Sequence, residues 1–189
     1  MSQPAPRLSP WAQLLALPEH LVGEIIGGEL VVSPRPASRH ALCSSVLTGE
    51  LVPPFGRGRG GPGGWWILDE PELHLGADVL VPDLAGWRRE RLPAVPDEPN
   101  FTLAPDGVCE VLSPSTGRLD RRDKLPRYAA AGVAHAWLID PATRTLEVLA
   151  LGAGRWTLLA VHGGDDRVRA DPFAAIELEL AALWGEAPP

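Results

Sequence analysis

The sequence predicts an α+β fold: a central mixed β-sheet with few helices. Short apolar runs with two-residue alternation, among them "TLEVLAL" and "RWTLLAVH", outnumber segments with helical spacing. Twenty-one prolines and twenty glycines in 189 residues require many turns and loops. The chain shows no internal repeat and no second region of distinct composition, so its elements are expected to share one sheet-based core.

Taken in order, residues 1–9 read as a disordered lead and residues 10–186 as a single domain. Ser9 caps a brief helix in "SPWAQLLALPEH", with Pro10 at its first position. "LVGEIIGGELVVSP" contains two short strands around Gly27-Gly28, an N-terminal hairpin. Ser38 caps the next helix, in which Leu42, Val46, Leu47 and Leu51 recur at helical spacing. "FGRGRGGPGG", residues 55–64, is a mobile hairpin connection or a phosphate-contacting loop using Arg57 and Arg59; it lacks the Gly-Lys-Ser/Thr ending of a P-loop. "WWILDEPELHLG" and "DVLVPDLAGW" read as two strands with a turn at Gly76. A long loop leads to the strand "GVCEVL". "KLPRYAAAGV" is a helix that starts near Asp123, since Pro126 is tolerated only in a first turn. "AHAWLID", "TLEVLAL" and "RWTLLAVH" are successive antiparallel strands. "DPFAAIELELAALW" closes the chain with alternation and a final helical turn.

The composition, 45% apolar and 22% charged, is that of a globular chain. A net charge of −7 argues against gripping nucleic acid over a broad basic face. It leaves room for a nuclease whose acidic centre is neutralised by a divalent metal. Cys43 and Cys109 lie in apolar surroundings and read as buried thiols, and no Cys/His spacing suits zinc. No signal segment and no apolar run of membrane-spanning length is visible, so a cytoplasmic protein without membrane contact is expected.

The chemistry concentrates on two strands. Asp83 ends "VLVPD", and Glu110 sits inside the apolar strand "GVCEVL", where an unpaired charge is costly. If those strands are neighbours, the two carboxylates converge at a sheet edge and offer oxygen ligands to a hard divalent cation. Lys124, on the following helix, is the cation that would stabilise charge on a phosphate. The plainer alternative has Glu110 facing solvent or paired with Arg121 or Arg122.

Several other residues carry two readings each. One of Glu24 and Glu29 on the first hairpin completes the metal shell or orders a water in it, with Glu29 slightly favoured, or both are solvated. His40 contacts a phosphate or moves a proton, or else it caps or packs its helix. Asp120, four residues before Lys124, positions that lysine if both are helical. Tyr128, the only tyrosine, hydrogen-bonds near the site or packs against Trp137. Glu72 and His74 share a strand face, and solvent is the better reading for it. Ser113 and Ser115 form a turn, since no nucleophile elbow surrounds them. The seven tryptophans are scattered and read as core or interface, not as a base-stacking platform.

The ordered set "EIIGGELVVSP…H", "VLVPDLAGW", "CEVLSPSTGRLDRRDKLPRYAAAGVAHAWLIDP" and "IELELAAL" resembles a large bacterial family of restriction-endonuclease-type proteins, the Uma-two type. The resemblance spans roughly residues 18–184. It implies the PD-(D/E)XK nuclease superfamily, whose core is a central mixed sheet flanked by helices. By position, Asp83 and Glu110 are then the metal ligands for Mg2+ or Mn2+. The superfamily places its lysine two residues after the Glu, where this chain has Leu112; the resemblance moves that role to Lys124. It further implies phosphodiester hydrolysis of DNA, and a cutter of both strands is expected to be a homodimer. The alternative is a nuclease-fold module that binds or regulates without cutting.

Overall fold

Two proline breaks decide how the strands are shared out between sheets. In the computed structural model, which describes residues 8–18, 20–33 and 37–186, the stretch expected as two long strands is four short ones. These are β3 (Trp65–Asp69), β4 (Glu72–Leu75), β5 (Asp78–Leu80) and β6 (Leu84–Arg88). Pro71 and Pro82 interrupt the ladders because proline donates no backbone hydrogen bond. The chain thereby leaves one sheet, makes the β4–β5 hairpin at Gly76 in a second sheet, and returns.

The second sheet has the order β2-β1-β5-β4-β7, with β1 (Val22–Ile26), β2 (Glu29–Ser33) and β7 (Asn100–Phe101). The β1–β2 hairpin turns at Gly27 and Gly28, both at positive φ, 62° and 81°, as a tight two-residue turn requires. β7, a strand inside the expected long loop, pairs parallel to β4. The larger sheet has the order β11-β10-β9-β8-β6-β3. It contains β8 (Gly107–Val111), β9 (His135–Asp140), β10 (Thr145–Gly152) and β11 (Arg155–Gly163). Its last three strands are antiparallel to one another, as expected, and β8 runs parallel to β9. The sheet is therefore mixed.

Each face of the larger sheet is covered. On one side lie α2 (Ser38–Leu51), the π-turn Val52–Gly56 and the C-terminal segment, which ends in α5 (Leu180–Leu183). Cys43, Leu47, Phe55, Phe173 and Leu180 pack there against Cys109, Val111 and Trp137. On the other side, α4 (Leu125–Ala130) and the smaller sheet bury Leu73, Leu80, Leu125 and Tyr128 against Trp87, Val108 and Leu138. The C-terminal alternation contributes little strand: only β13 (Leu178–Glu179) forms within it, paired with β12 (Arg167–Val168) just ahead of it.

Two further expectations change. Ala37, not Ser38, is the N-cap of α2, and no side chain caps that helix. The helix expected from Asp123 begins at Gly117, with α3 (Gly117–Leu119) and a π-turn over Asp120–Lys124 leading into α4. Pro126 still falls in the first turn of α4. The widened turn spares a bond that proline could not donate, the Leu125 N–H reaching back to Asp120. α1 (Pro10–Leu15) forms as expected, with the Ser9 hydroxyl accepting from the Ala12 N–H. Residues 1–7 of the expected lead lie outside the described residues.

The 55–64 stretch joins the π-turn to β3, so it is not a hairpin connection. It is held down by bonds from Arg59 N–H to Pro53 and from Gly63 N–H to Pro54. A Cβ at Gly61 would lie 2.5 Å from the Pro54 Cβ and 2.9 Å from its carbonyl oxygen. Gly61→Ala is therefore expected to lower unfolding free energy by about 1–3 kcal/mol. A urea midpoint unchanged from wild type would show that the loop does not press on Pro54.

Candidate active site

β6 and β8 are antiparallel neighbours, with Leu84 opposite Cys109. Asp83, just ahead of β6, therefore meets the end of β8, and its Oδ2 accepts from the Val111 N–H at 2.6 Å. Alternation along β8 sends Cys109 and Val111 to the α2 side and Val108 and Glu110 to the α4 side. Glu110 thus occupies a core position, 2% exposed, and the 117–130 helical stretch supplies its partners. Lys124 Nζ donates to Glu110 Oε1 at 2.9 Å, and the Tyr128 hydroxyl donates to the same oxygen at 2.6 Å.

Lys124 is itself 3% exposed and has further acceptors: Glu24 Oε1 and the Val81 carbonyl, both at 3.0 Å. Asp120 lies 3.9 Å away at helical i,i+4 spacing. One ammonium thus stands among three buried carboxylates, and its three N–H groups are used. Leu112, where the superfamily lysine would be, is an apolar core residue. The lysine that approaches Glu110 comes from 14 positions later.

Burial drives the electrostatics. The Glu110 carboxyl is pushed well above its usual range by desolvation; Lys124 opposes this, and Asp120, Asp83 and Glu24 reinforce it. For Lys124, burial favours the neutral amine, but the surrounding acids outweigh it and hold the ammonium charged. Tyr128 is likewise raised, by burial first and then by Glu110. His40 Nε2 lies 3.1 Å from Asp83 Oδ1. Its burial opposes the imidazolium, yet the Asp83 bond and the charges of Asp83, Glu70 and Asp120 raise its pKa.

Asp120 is raised from 3.8 to about 6, mainly by burial. Between those values the folded chain holds a proton that the unfolded chain has released. Its contribution to stability is therefore complete below pH 4 and lost as pH rises to about 6. Thermal melts of wild type and Asp120→Asn should show wild type losing ground to the variant across that window, then a constant gap. A wild type that gains on the variant over the same pH range would reverse the sign assigned to Asp120.

Glu24, His40, Asp83, Glu110, Asp120 and Lys124 line one cavity of about 440 Å³. Of the two hairpin acids, Glu29 is exposed beside the turn and Glu24 is the one in the cluster. Alternation could not separate them: Glu29 pairs with Ile26 and Glu24 with Val31, so both acids share a face and only distance from the turn distinguishes them. Tyr128 does not pack on Trp137, which lies in the core on the other side of the sheet. Arg121 pairs with Glu147, leaving Glu110 to Lys124. Glu72 bonds His74 at 2.6 Å on a half-exposed strand face away from the cavity. Ser113 and Ser115 form the expected turn, and both reach the cavity rim. Cys43 and Cys109 are buried free thiols, and burial pushes Cys43 up to about 12. Glu70, which the sequence reading overlooked, also lines the cavity and holds a positive φ of 45°. Such strain collects at functional sites.

The donor set suits a hard divalent cation. Asp83 and Glu110 offer only oxygen, and the buried acids outnumber the one lysine. Among the described residues, no group of three or more His, Cys, Asp or Glu side chains forms a ready metal cage. Two carboxylates with water filling the other positions is the usual magnesium arrangement.

Residues 11–182 match the family model described as "Uma2: Putative restriction endonuclease". A solved structure described as a "putative nuclease belonging to DUF820" from Anabaena variabilis shares the fold. Its TM-score is 0.74 at 22% identity, over 95% of this chain and 98% of that one. No curated protein matches the chain. No helix among the described residues is long and apolar enough to cross a membrane.

Proposed function

The chain belongs to the Uma2 family of restriction-endonuclease-like proteins, and from that premise we propose that it is a metal-dependent endonuclease hydrolysing phosphodiester bonds in DNA. One observation carries the reading. Asp83, Glu110 and Lys124, distant in sequence, line a single cavity, with Lys124 Nζ 2.9 Å from Glu110.

In this reading Asp83 and Glu110 hold Mg2+ or Mn2+. When bound, such a cation polarises a phosphoryl oxygen and acidifies a water. Lys124 offsets the charge that develops on the phosphate. Asp120 and Glu24 keep the lysine charged and in place, and Tyr128 fixes the orientation of the Glu110 carboxylate. His40, bonded to Asp83 and facing the cavity, is positioned to exchange a proton with the substrate or a water. Residues 10–186 act as one domain in the cytoplasm. A homodimer would cut both strands, and the exposed Leu158, Leu159 and Val161 on the edge strand β11 offer it a surface.

A second reading is a module that binds without cutting. It is favoured by the Lys124 N–H groups, all of which already have protein acceptors. Nicking of supercoiled plasmid with magnesium or manganese separates the two. Activity that wild type shows and that disappears with either acid supports the nuclease. Equal cutting by wild type, Asp83→Ala and Glu110→Ala would mark a contaminant and sink it.

A further inference from the structure

β3 and β6 carry charge that is segregated along their length. Trp65 pairs with Arg88 at one end, and Asp69 pairs with Leu84, next to Asp83, at the other. Asp69, Glu70 and Asp83 therefore gather at the cavity end. At the opposite end the 57–64 loop meets the segment after β6. Arg89 donates through Nη2 to the Gly56 carbonyl at 2.7 Å, and its N–H bonds Gly64. Arg88 lies over the Trp65 ring at 4.6 Å and Arg89 over Trp66 at 3.9 Å. Trp65 belongs to the core on the α2 side and Trp66 packs on the opposite one, so only Arg89 shares the face of Glu110 and Lys124. Arg57, Arg59 and Arg91 are exposed as well, which with Arg89 makes four arginines at this end. Glu90 is exposed among them in sequence, and Asp106 is paired with Arg91.

This concentration stands out in a chain of net charge −7 whose cavity is acidic. A carboxylate-lined site repels a polyanion, so a substrate of that kind must be drawn and held by charge elsewhere. We propose that Arg57, Arg59, Arg89 and Arg91 form the surface that holds the phosphate backbone of duplex DNA while the cavity at the other end of β3 receives the bond to be cut. The inference rests on the nuclease reading and adds where the substrate lies. The two ends are roughly 15 Å apart, one strand length. At about 3.4 Å of rise per phosphate on a strand, that is some four to five base pairs. Arginine suits the task because its planar fork meets phosphate oxygens in pairs.

The test is fluorescence anisotropy on a short labelled duplex, titrated over a range of salt, with calcium in place of magnesium. Arg57→Ala/Arg59→Ala removes two exposed loop cations and leaves the cavity untouched. Arg155→Ala/Arg167→Ala makes the same change in net charge at other exposed sites. Loss of two phosphate contacts should reduce the slope of log K against log salt by about 1.8 and weaken binding about tenfold or more. The control pair should stay near wild type. A loop variant with wild-type affinity and slope, or a control that falls equally, overturns the arginine surface and leaves the nuclease reading standing. A wild type that binds no duplex at all overturns both.

Discussion

Lys124→Ala should lose about 3–5 kcal/mol of unfolding free energy at pH 7, the usual result of removing one partner from a buried ion pair. Glu110 and Glu24 would remain buried with no cation beside them, at 2% and 5% exposure. An uncompensated carboxylate there is relieved only by taking up a proton. The variant's folded state should therefore bind more protons than wild type, and its deficit should shrink as pH falls from 7 toward 5. Urea unfolding followed by circular dichroism at the two pH values measures both effects. A loss below about 1 kcal/mol at pH 7, the size of a surface ion pair, would show that Lys124 is not the counter-ion of the cluster. The same variant should lose plasmid nicking. Full activity would break the assignment of the lysine role to position 124 while leaving the two acids in place.

Glu110→Gln separates chemistry from folding. The amide keeps the size of the side chain and an oxygen for the Tyr128 hydroxyl, and it removes a charge whose burial is unfavourable. Stability should therefore be equal to wild type or above it. Nicking should fall by more than the roughly 10–100-fold that replacing a mere outer-shell partner of a metal costs. Asp83→Ala should match that loss of activity, with some loss of stability, because the Val111 N–H and His40 both give up an acceptor. Wild-type nicking by Glu110→Gln would remove Glu110 from the reaction. A collapse of both folding and activity would instead make the carboxylate charge a structural requirement.

Much of the fold was legible from local signals. The Gly27-Gly28 hairpin, the Ser9 cap and the three C-terminal antiparallel strands each follow from turn chemistry or two-residue alternation within a short window. The errors came where a local rule met a distant partner. Pro71 and Pro82 lie inside the stretches read as two strands, and they are where the chain changes sheets. Pro126 suggested a helix start, whereas a π-turn ahead of it already runs helical from Gly117. Tyr128 could be read as packing on Trp137 because nothing local tells on which face of the sheet each one lies.

By itself the sequence determined the α+β class, the family, and the presence of Asp83 at the end of one apolar strand and Glu110 inside another. These depend on residue order and short-range periodicity, which a linear text carries in full. Only the tertiary structure decided that Glu24 and not Glu29 joins the cluster, and that Lys124 reaches Glu110 across the gap left by Leu112. It also placed the arginines of the 57–64 loop beside Arg89. Those choices depend on which strands are paired, on the face that alternation gives each residue, and on the winding of the helix from 117. All are set by long-range packing of two sheets around shared cores, and no window of neighbouring residues encodes them.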